Sequence, residues 1–327
     1  MAEKPDRARI SVAVIGVGPL WEQHYRDAVL RLSSKIKVKA VCDPVHMRAI
    51  ACADEFRAAA VTSPWQLFQR KDLHAWLILD PGWFGIYPAE LAVRSSRPVL
   101  LANALSHKLP QLVGVLRESV EHGESLMPEL PTRFTPATTR LRELMATKLG
   151  SVQKIEIQVA RPTDGSLATI AWLQERQAEV AGLFDCCRYL VGRSAATVDS
   201  ESTAAETRLR LAFSSTDDGR TRLSPTATIA VIESPTAQAS TWHVECERGT
   251  ATISGPEKIA WQTTSDRAKE FLQHERSPYE IVLDQFCRRA LGGLVPVPTP
   301  ADALQAVAAF CGAVESLHRG GPVVLDA

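Results

Sequence analysis

Two glycines and a carboxylate are spaced in this chain as a dinucleotide-holding turn would need them. Gly16-Val17-Gly18-Pro19-Leu20-Trp21 follows the apolar run Ile10-Ser11-Val12-Ala13-Val14-Ile15, and a second run from Val38 to Cys42 ends at Asp43. In a strand, glycine turn and helix of this kind, the glycines let backbone approach a pyrophosphate. The helix amino terminus supplies N–H donors, and a carboxylate on the next strand accepts hydrogen bonds from ribose hydroxyls. Gly16, Gly18 and Asp43 are therefore candidate cofactor contacts. Asp80 and Pro81 join them, because Asp80-Pro81-Gly82-Trp83 breaks a third apolar run, Leu73 to Leu79, at the carboxyl end of a strand, where open α/β sheets hold ligands. Pro44 directly after Asp43 favours NAD over NADP, since a carboxylate repels a 2′-phosphate; Arg48, one turn on, weakens that preference. Trp21 stands where a third small residue lets helix pack on strand, and its bulk is expected to push the helix away. The alternative is a tight turn that holds no nucleotide. His24, Tyr25 and Trp83 are candidates to line the cleft, although large aromatics such as Trp21 and Trp83 are more often core fillers.

The elements needed to hold these residues follow from the pattern. Up to residue 123, apolar strands alternate with helical segments, which predicts a parallel sheet wrapped on both faces. From Ser125 the pattern changes. A helix opens at Arg133-Phe134-Thr135-Pro136 and stops at Leu149-Gly150-Ser151, and alternating strands follow at Val152–Val159, Arg208–Phe213, Ala227–Glu233, Thr241–Glu247 and Thr250–Ser254. Two helices, from Tyr279 and from Ala301, and a short strand at Pro322–Leu325 end the chain, while 214–222 reads as an exposed hairpin loop. The fold class expected is α/β, with an amino-terminal Rossmann dinucleotide-binding domain over residues 1–123. The second domain, residues 124–327, is expected to be α/β with a large, mostly antiparallel open sheet.

Composition narrows the classes of partner. The chain has 327 residues, with 37 Lys plus Arg against 37 Asp plus Glu, so charge gives no reason to expect nucleic acid or an anionic membrane surface. No apolar run is long enough to span a bilayer, and the polar opening Met1–Arg7 does not read as a signal peptide. The seven cysteines lack metal-type spacing, and Cys186-Cys187 reads as two apolar helix residues. No metal is expected, the thiols are expected reduced, and the compartment is expected to be cytoplasmic. Homo-oligomerisation through the second domain is also expected, because an open sheet face would otherwise expose apolar surface.

With these residues in place, the chain resembles the glucose-fructose oxidoreductase, inositol dehydrogenase and MocA (Gfo/Idh/MocA) family over nearly its whole length. The resemblance rests on the Gly16-to-Asp43 unit and on the Arg133-Phe134 helix ending in Leu149-Gly150-Ser151-Val152. It also rests on a tail marked by Phe286, Pro296, Asp302-Ala303-Leu304, Ser316, Gly320-Gly321 and Val323. It implies a nicotinamide cofactor and sugar, polyol or related hydroxy substrates. It also exposes departures. The family's Glu-Lys-Pro motif, whose lysine helps move the hydroxyl proton, is matched here by Ala102-Asn103-Ala104. Asn103 can orient a ligand and cannot take its proton. The family's paired histidine and aspartate on a helix are matched by Gly182 and Asp185, and a further histidine position falls at Gly85. Asp185 is then a surviving substrate-site carboxylate, or a structural partner of Arg188. His107 and Lys108, just past the lost motif, are the nearest substitutes, although surface charge on a loop explains them as well.

Two functions from different classes remain. One is an NAD(P)-dependent oxidoreductase with a nonstandard proton donor, and the other is a noncatalytic relative that binds a nucleotide, a sugar or a protein partner.

Overall fold

A computed structural model of the chain describes residues 9–162, 169–203, 206–214, 224–234, 240–273 and 275–325. They group into two compact units, Met1–Pro131 with Pro278–Leu304, and Thr132–Ser277 with Gln305–Ala327. The hairpin expected at 214–222 lies outside the described residues beyond Ser214.

The first unit opens with β1 (Ile10–Ile15), a π-helical turn over Trp21–Tyr25, α1 (Arg26–Arg31), β2 (Ile36–Cys42), α2 (His46–Phe56) and β3 (Ala59–Val61). It continues through α3 (Pro64–Gln69), β4 (Ala75–Ile78), α4 (Tyr87–Arg94), β5 (Val99–Leu101), α5 (Leu109–Glu121) and β6 (Leu126–Pro128). The six strands pair in parallel in the order β3-β2-β1-β4-β5-β6. Strands covered on both faces need no polar alternation, which is why Val12–Ile15 and Ala75–Ile78 are wholly apolar and buried. The winding reverses between β1 and β4, and such a reversal opens a crevice at the carboxyl ends of those two strands. The sixth strand extends this sheet past residue 123. Leu126-Met127-Pro128 is too short to show a period, and only pairing with β5 defines it.

Trp21 departs from expectation in an informative way. The helix opens with the π-helical turn, and the fully buried indole packs edge-on against Phe56 with ring centroids 5.5 Å apart. The side chain thus enters the core.

The second unit contains α6 (Pro136–Leu144), β7 (Val152–Pro162), α7 (Thr169–Glu175), α8 (Gln177–Val191), β8 (Ala195–Ser202), β9 (Glu206–Phe213) and β10 (Thr226–Ser234). β11 (Thr241–Cys246), β12 (Gly249–Ser254), β13 (Lys258–Thr263) and β14 (Arg267–Phe271) follow. Then come α9 (Pro278–Ala290), which belongs to the first unit, α10 (Pro300–Arg319) and β15 (Val323–Val324). Nine strands pair in the order β14-β13-β12-β11-β7-β10-β9-β8-β15, antiparallel except for β7 with β10. One face is apolar: Ile155, Ile157, Leu209, Leu211, Ile229, Val231, Trp242 and Val244 are buried, with α8 lying on β7 and α6 on β12 and β13.

The other face corrects the reason given for self-association. It is charged rather than apolar. Lys154 pairs with Glu156 at 2.7 Å and reaches Glu245 at 3.8 Å, and Arg210 pairs with Asp199 and Glu201. Exposed apolar area therefore supplies no drive for assembly there.

Candidate functional site

The crevice at the ends of β1 and β4 is a cleft of about 530 Å³ within the first unit. Gly18, Pro19, Asp43, Arg48, Asp80, Pro81, Trp83, Asn103, Ser106 and His107 are among the residues that line it. Four of the five expected cofactor contacts and Asn103 thus meet in one place, and Gly16 lies directly behind them.

The two glycines have a close-packing reason that involves no ligand. Gly16 adopts φ +83°, and a Cβ there would fall 2.1 Å from the carbonyl oxygen of Asp80. At Gly18 a Cβ would lie 2.9 Å from Asp80 Oδ2. Glycine is needed at both positions because the backbone and carboxylate of Asp80 occupy the space above the turn.

Two of the donors that a pyrophosphate would need are taken up in the same way. Val17 N–H donates to Asp43 Oδ2 at 2.7 Å, and Leu20 N–H donates to Asp80 Oδ2 at 2.8 Å. Pro19, between them, has no N–H. Asp43, only 3% exposed, also accepts from Val45 N–H at 2.7 Å through Oδ1, so both its oxygens serve backbone amides. A helix amino terminus attracts anions, and here the anion is the chain's own Asp80. The residues present therefore do not fit a dinucleotide's diphosphate: Pro19 offers no donor, Val17 and Leu20 N–H are engaged, the Asp43 and Asp80 carboxylates face where the charge would sit, and from Val17 to Leu20 only Gly18 N–H has no partner among the described residues.

The loop that replaces the Glu-Lys-Pro motif is held from below. Asn103 takes a left-handed conformation at φ 48°, with its side chain exposed to the cleft. Its N–H donates to Glu129 Oε2 at 2.8 Å, while Tyr25 Oη donates to Glu129 Oε1 at 2.6 Å. Glu129 stands just past β6 and is 2% exposed. Burial pushes its carboxyl up from the ordinary range, with Asp80 adding to the rise and the hydrogen bonds from Tyr25 and Asn103 opposing it. Burial, reinforced by Glu129, likewise pushes the Tyr25 phenol up. His107 lines the cleft beside Asn103, and burial pushes its imidazole down, toward the neutral form. Of the aromatic candidates, Tyr25 is fully buried and His24 stacks on Tyr279 at 4.0 Å, so neither lines the cleft. Trp83 does line it, and at 77% exposed it is not the core filler expected.

Asp185 belongs to the second unit. It is 1% exposed and held bidentately by Arg133, with Nε to Oδ2 at 2.7 Å and Nη2 to Oδ1 at 2.5 Å; Arg188 approaches at 3.6 Å. The Arg133 guanidinium also lies 4.9 Å from the centre of the Tyr189 ring. At Gly182 the nearest atom to a Cβ is Thr132 Oγ1 at 3.7 Å, so packing leaves space for a side chain there. At Gly85 no atom lies within 4 Å of a Cβ, but φ +57° and ψ −132° form a backbone conformation that favours glycine over histidine. Burial pushes the Cys187 thiol up to about 12, and Cys42 and Cys52 likewise, so these sulfurs stay protonated and are no nucleophiles. Among the described residues no cluster could hold a metal ion, and no helix is long and apolar enough to cross a membrane.

Sequence reasoning overlooked Pro19, although a proline inside the glycine turn is visible without coordinates. Glu129 carried no local signal; only the pairing of β6 with β5 brings it under Asn103.

A parallel doubly wound unit followed by a large antiparallel sheet is the two-domain fold of the Gfo/Idh/MocA oxidoreductases. Comparisons with protein-family models and with curated proteins return no match, whereas solved structures match over almost their full length. A myo-inositol dehydrogenase from Corynebacterium glutamicum aligns at TM-score 0.74, covering 98% of this chain and 100% of its own. An aldose-aldose oxidoreductase from Caulobacter crescentus aligns at 0.74, covering 97% and 100%. A candidate NADPH-dependent oxidoreductase from Desulfitobacterium hafniense aligns at 0.77, covering 97% and 98%. Each is 15% identical in sequence, so what is shared is the fold.

Proposed function

We propose that this chain is a homologue of the sugar and polyol oxidoreductases with degenerate catalytic residues, acting as a noncatalytic ligand-binding protein. The observation that carries this reading is the Asp80 carboxylate seated on Leu20 N–H, at the helix end where the fold would present a diphosphate site. The proton-handling positions agree with it. Asn103 has no basic nitrogen, Gly182 has no side chain, and Asp185 is consumed by Arg133. Gly16, Gly18, Asp43, Asp80 and Pro81 are accordingly assigned to the cleft as its framework rather than as contacts to NAD or NADP. Titration calorimetry tests this directly. The native protein is expected to show no saturable NADH or NADPH binding, and Asp80→Ala, which removes the charge and frees Leu20 N–H, is expected to gain it. Micromolar NADH binding by the native chain would sink the reading.

A second reading, retained oxidoreductase chemistry on a sugar or polyol, has His107 in its favour, because a neutral imidazole beside Asn103 is a proton acceptor in the right wall of the cleft. It requires inositol or glucose oxidation with NAD that His107→Ala reduces about a hundredfold or more.

A further inference from the structure

The cleft keeps its volume although its diphosphate end is filled, and the residues around that volume define a ligand class. Trp83 presents an indole 77% exposed on the loop after β4. Gly82, with φ +53°, sets that loop against Pro44, since a Cβ there would lie 3.0 Å from Pro44 Cγ. Asp80 uses Oδ2 on Leu20 N–H, and among the described residues its Oδ1 has no protein hydrogen-bond partner. Asn103 and Ser106, both exposed, add donor and acceptor groups to the same wall. Two carboxylates, Asp43 and Asp80, and one guanidinium, that of Arg48, line the cleft, and Arg48 is exposed with no ion-pair partner among the described residues. An exposed aromatic face beside an acceptor-rich floor suits a flat ring that carries N–H or O–H donors, and it disfavours added phosphate charge. A volume of about 530 Å³ is ample for such a molecule.

We propose that this cleft binds a phosphate-free nucleoside, its base stacked on Trp83 and its donor groups turned to Asp80 and Asn103. The proposal rests on the reading of the glycine turn as filled by the chain's own carboxylates. Charge then sets specificity in the direction opposite to that of a dinucleotide site: each phosphate added to the ligand weakens it. Stacking on an exposed indole is tolerant of the base, so Asp80 and Asn103 select for hydroxyl and amine groups rather than for one ring system.

The test is calorimetry on the full chain with adenosine, guanosine, cytidine and uridine, followed by the mono- and diphosphate of the tightest binder, with NADH, glucose and myo-inositol alongside. At least one nucleoside is expected to bind saturably, and its diphosphate to bind about tenfold more weakly or worse. Trp83→Ala is expected to cost about tenfold in nucleoside affinity. Because Trp83 is exposed on a loop, that variant should fold as the native chain does. Asp80→Asn is expected to narrow the gap between nucleoside and diphosphate. Absence of binding by all four nucleosides overturns the proposal, as does a diphosphate that binds as tightly as its nucleoside, a Trp83→Ala variant with unchanged affinity, or binding of glucose or inositol alone. The failures are distinguishable. If neither nucleosides nor NADH bind, only the nucleoside assignment falls, whereas tight NADH binding removes the filled-turn reading beneath it.

Discussion

The strand-end cleft of the first unit and the Arg133–Asp185 pair of the second both hold carboxylates at positions that the family resemblance marks, and the two differ in how far those carboxylates are committed to the chain itself. In the cleft, Asp43 and Asp80 are tied to backbone amides, yet a cavity of about 530 Å³ remains and Asn103, Trp83 and His107 line it. In the second unit Asp185 has no remaining surface for a ligand: it is 1% exposed and bridged twice to Arg133. One keeps open volume beside its carboxylates, and the other is enclosed in the core. A carboxylate retained at a family position is thus no evidence of a retained role, and its partners decide.

The largest expected effect breaks the core side of this contrast. Asp185→Ala leaves the Arg133 guanidinium buried without its counter-ion and is expected to cost about 3 to 5 kcal/mol in chemical denaturation of the second unit. Asp185→Leu combined with Arg133→Met should recover most of that loss, because the desolvation of both charges is removed together. A small loss in the single variant would mean that the pair is solvated and that Asp185 is open to a ligand.

On the cleft side, Asp43→Ala removes the acceptor of two backbone amides and is expected to cost about 2 to 4 kcal/mol. If NADH does bind and this variant weakens it without a matching stability loss, Asp43 is a ribose ligand after all.

A smaller effect concerns pH. The Glu129 carboxyl is held above its ordinary 4.5 by burial, so the native state binds its proton more tightly than the unfolded chain does. Its contribution is complete below the unfolded value and is lost as pH rises through the raised folded value. Glu129→Gln should therefore flatten the fall in Tm from pH 4.5 upward. Parallel Tm profiles for the two proteins would show that Glu129 stays ionised beneath Asn103.

The smallest change is expected from restoring family residues alone. Asn103→Lys with Gly182→His introduces two proton-handling groups, with space for a Cβ at Gly182, yet NAD-linked oxidation of inositol or glucose should stay at background while Asp80 occupies the turn. Adding Asp80→Ala to that pair is the combination expected to raise turnover, since groups that act as a unit restore rate only together.

Much of the architecture was legible before any coordinates. The apolar run Ile10–Ile15, the glycine turn and the run ending at Asp43 define a parallel βαβ unit, and the alternation in Val152–Val159 defines a strand with one covered face. That asparagine stands at 103, where the resemblance matches the family's lysine, is equally plain from sequence order. The polarity of the open sheet face is written locally in β7, where Lys154 and Glu156 alternate with the buried Ile155 and Ile157; only the pairing of β7 with β11 adds Glu245, from about 90 residues away, beside Lys154.

What the sequence determined by itself is the fold and the residue types at the positions matched to the family's proton-transfer groups, Asn103 and Gly182, because periodicity and residue type are local properties. What only the tertiary structure decided is the fate of the carboxylates that remain. Hydrogen-bond capacity is finite, and whether Asp43, Asp80 and Asp185 face a ligand or the chain itself depends on which amides and guanidinium groups the packed strands and helices bring within about 3 Å. Here Val17, Val45, Leu20 and Arg133 arrive first.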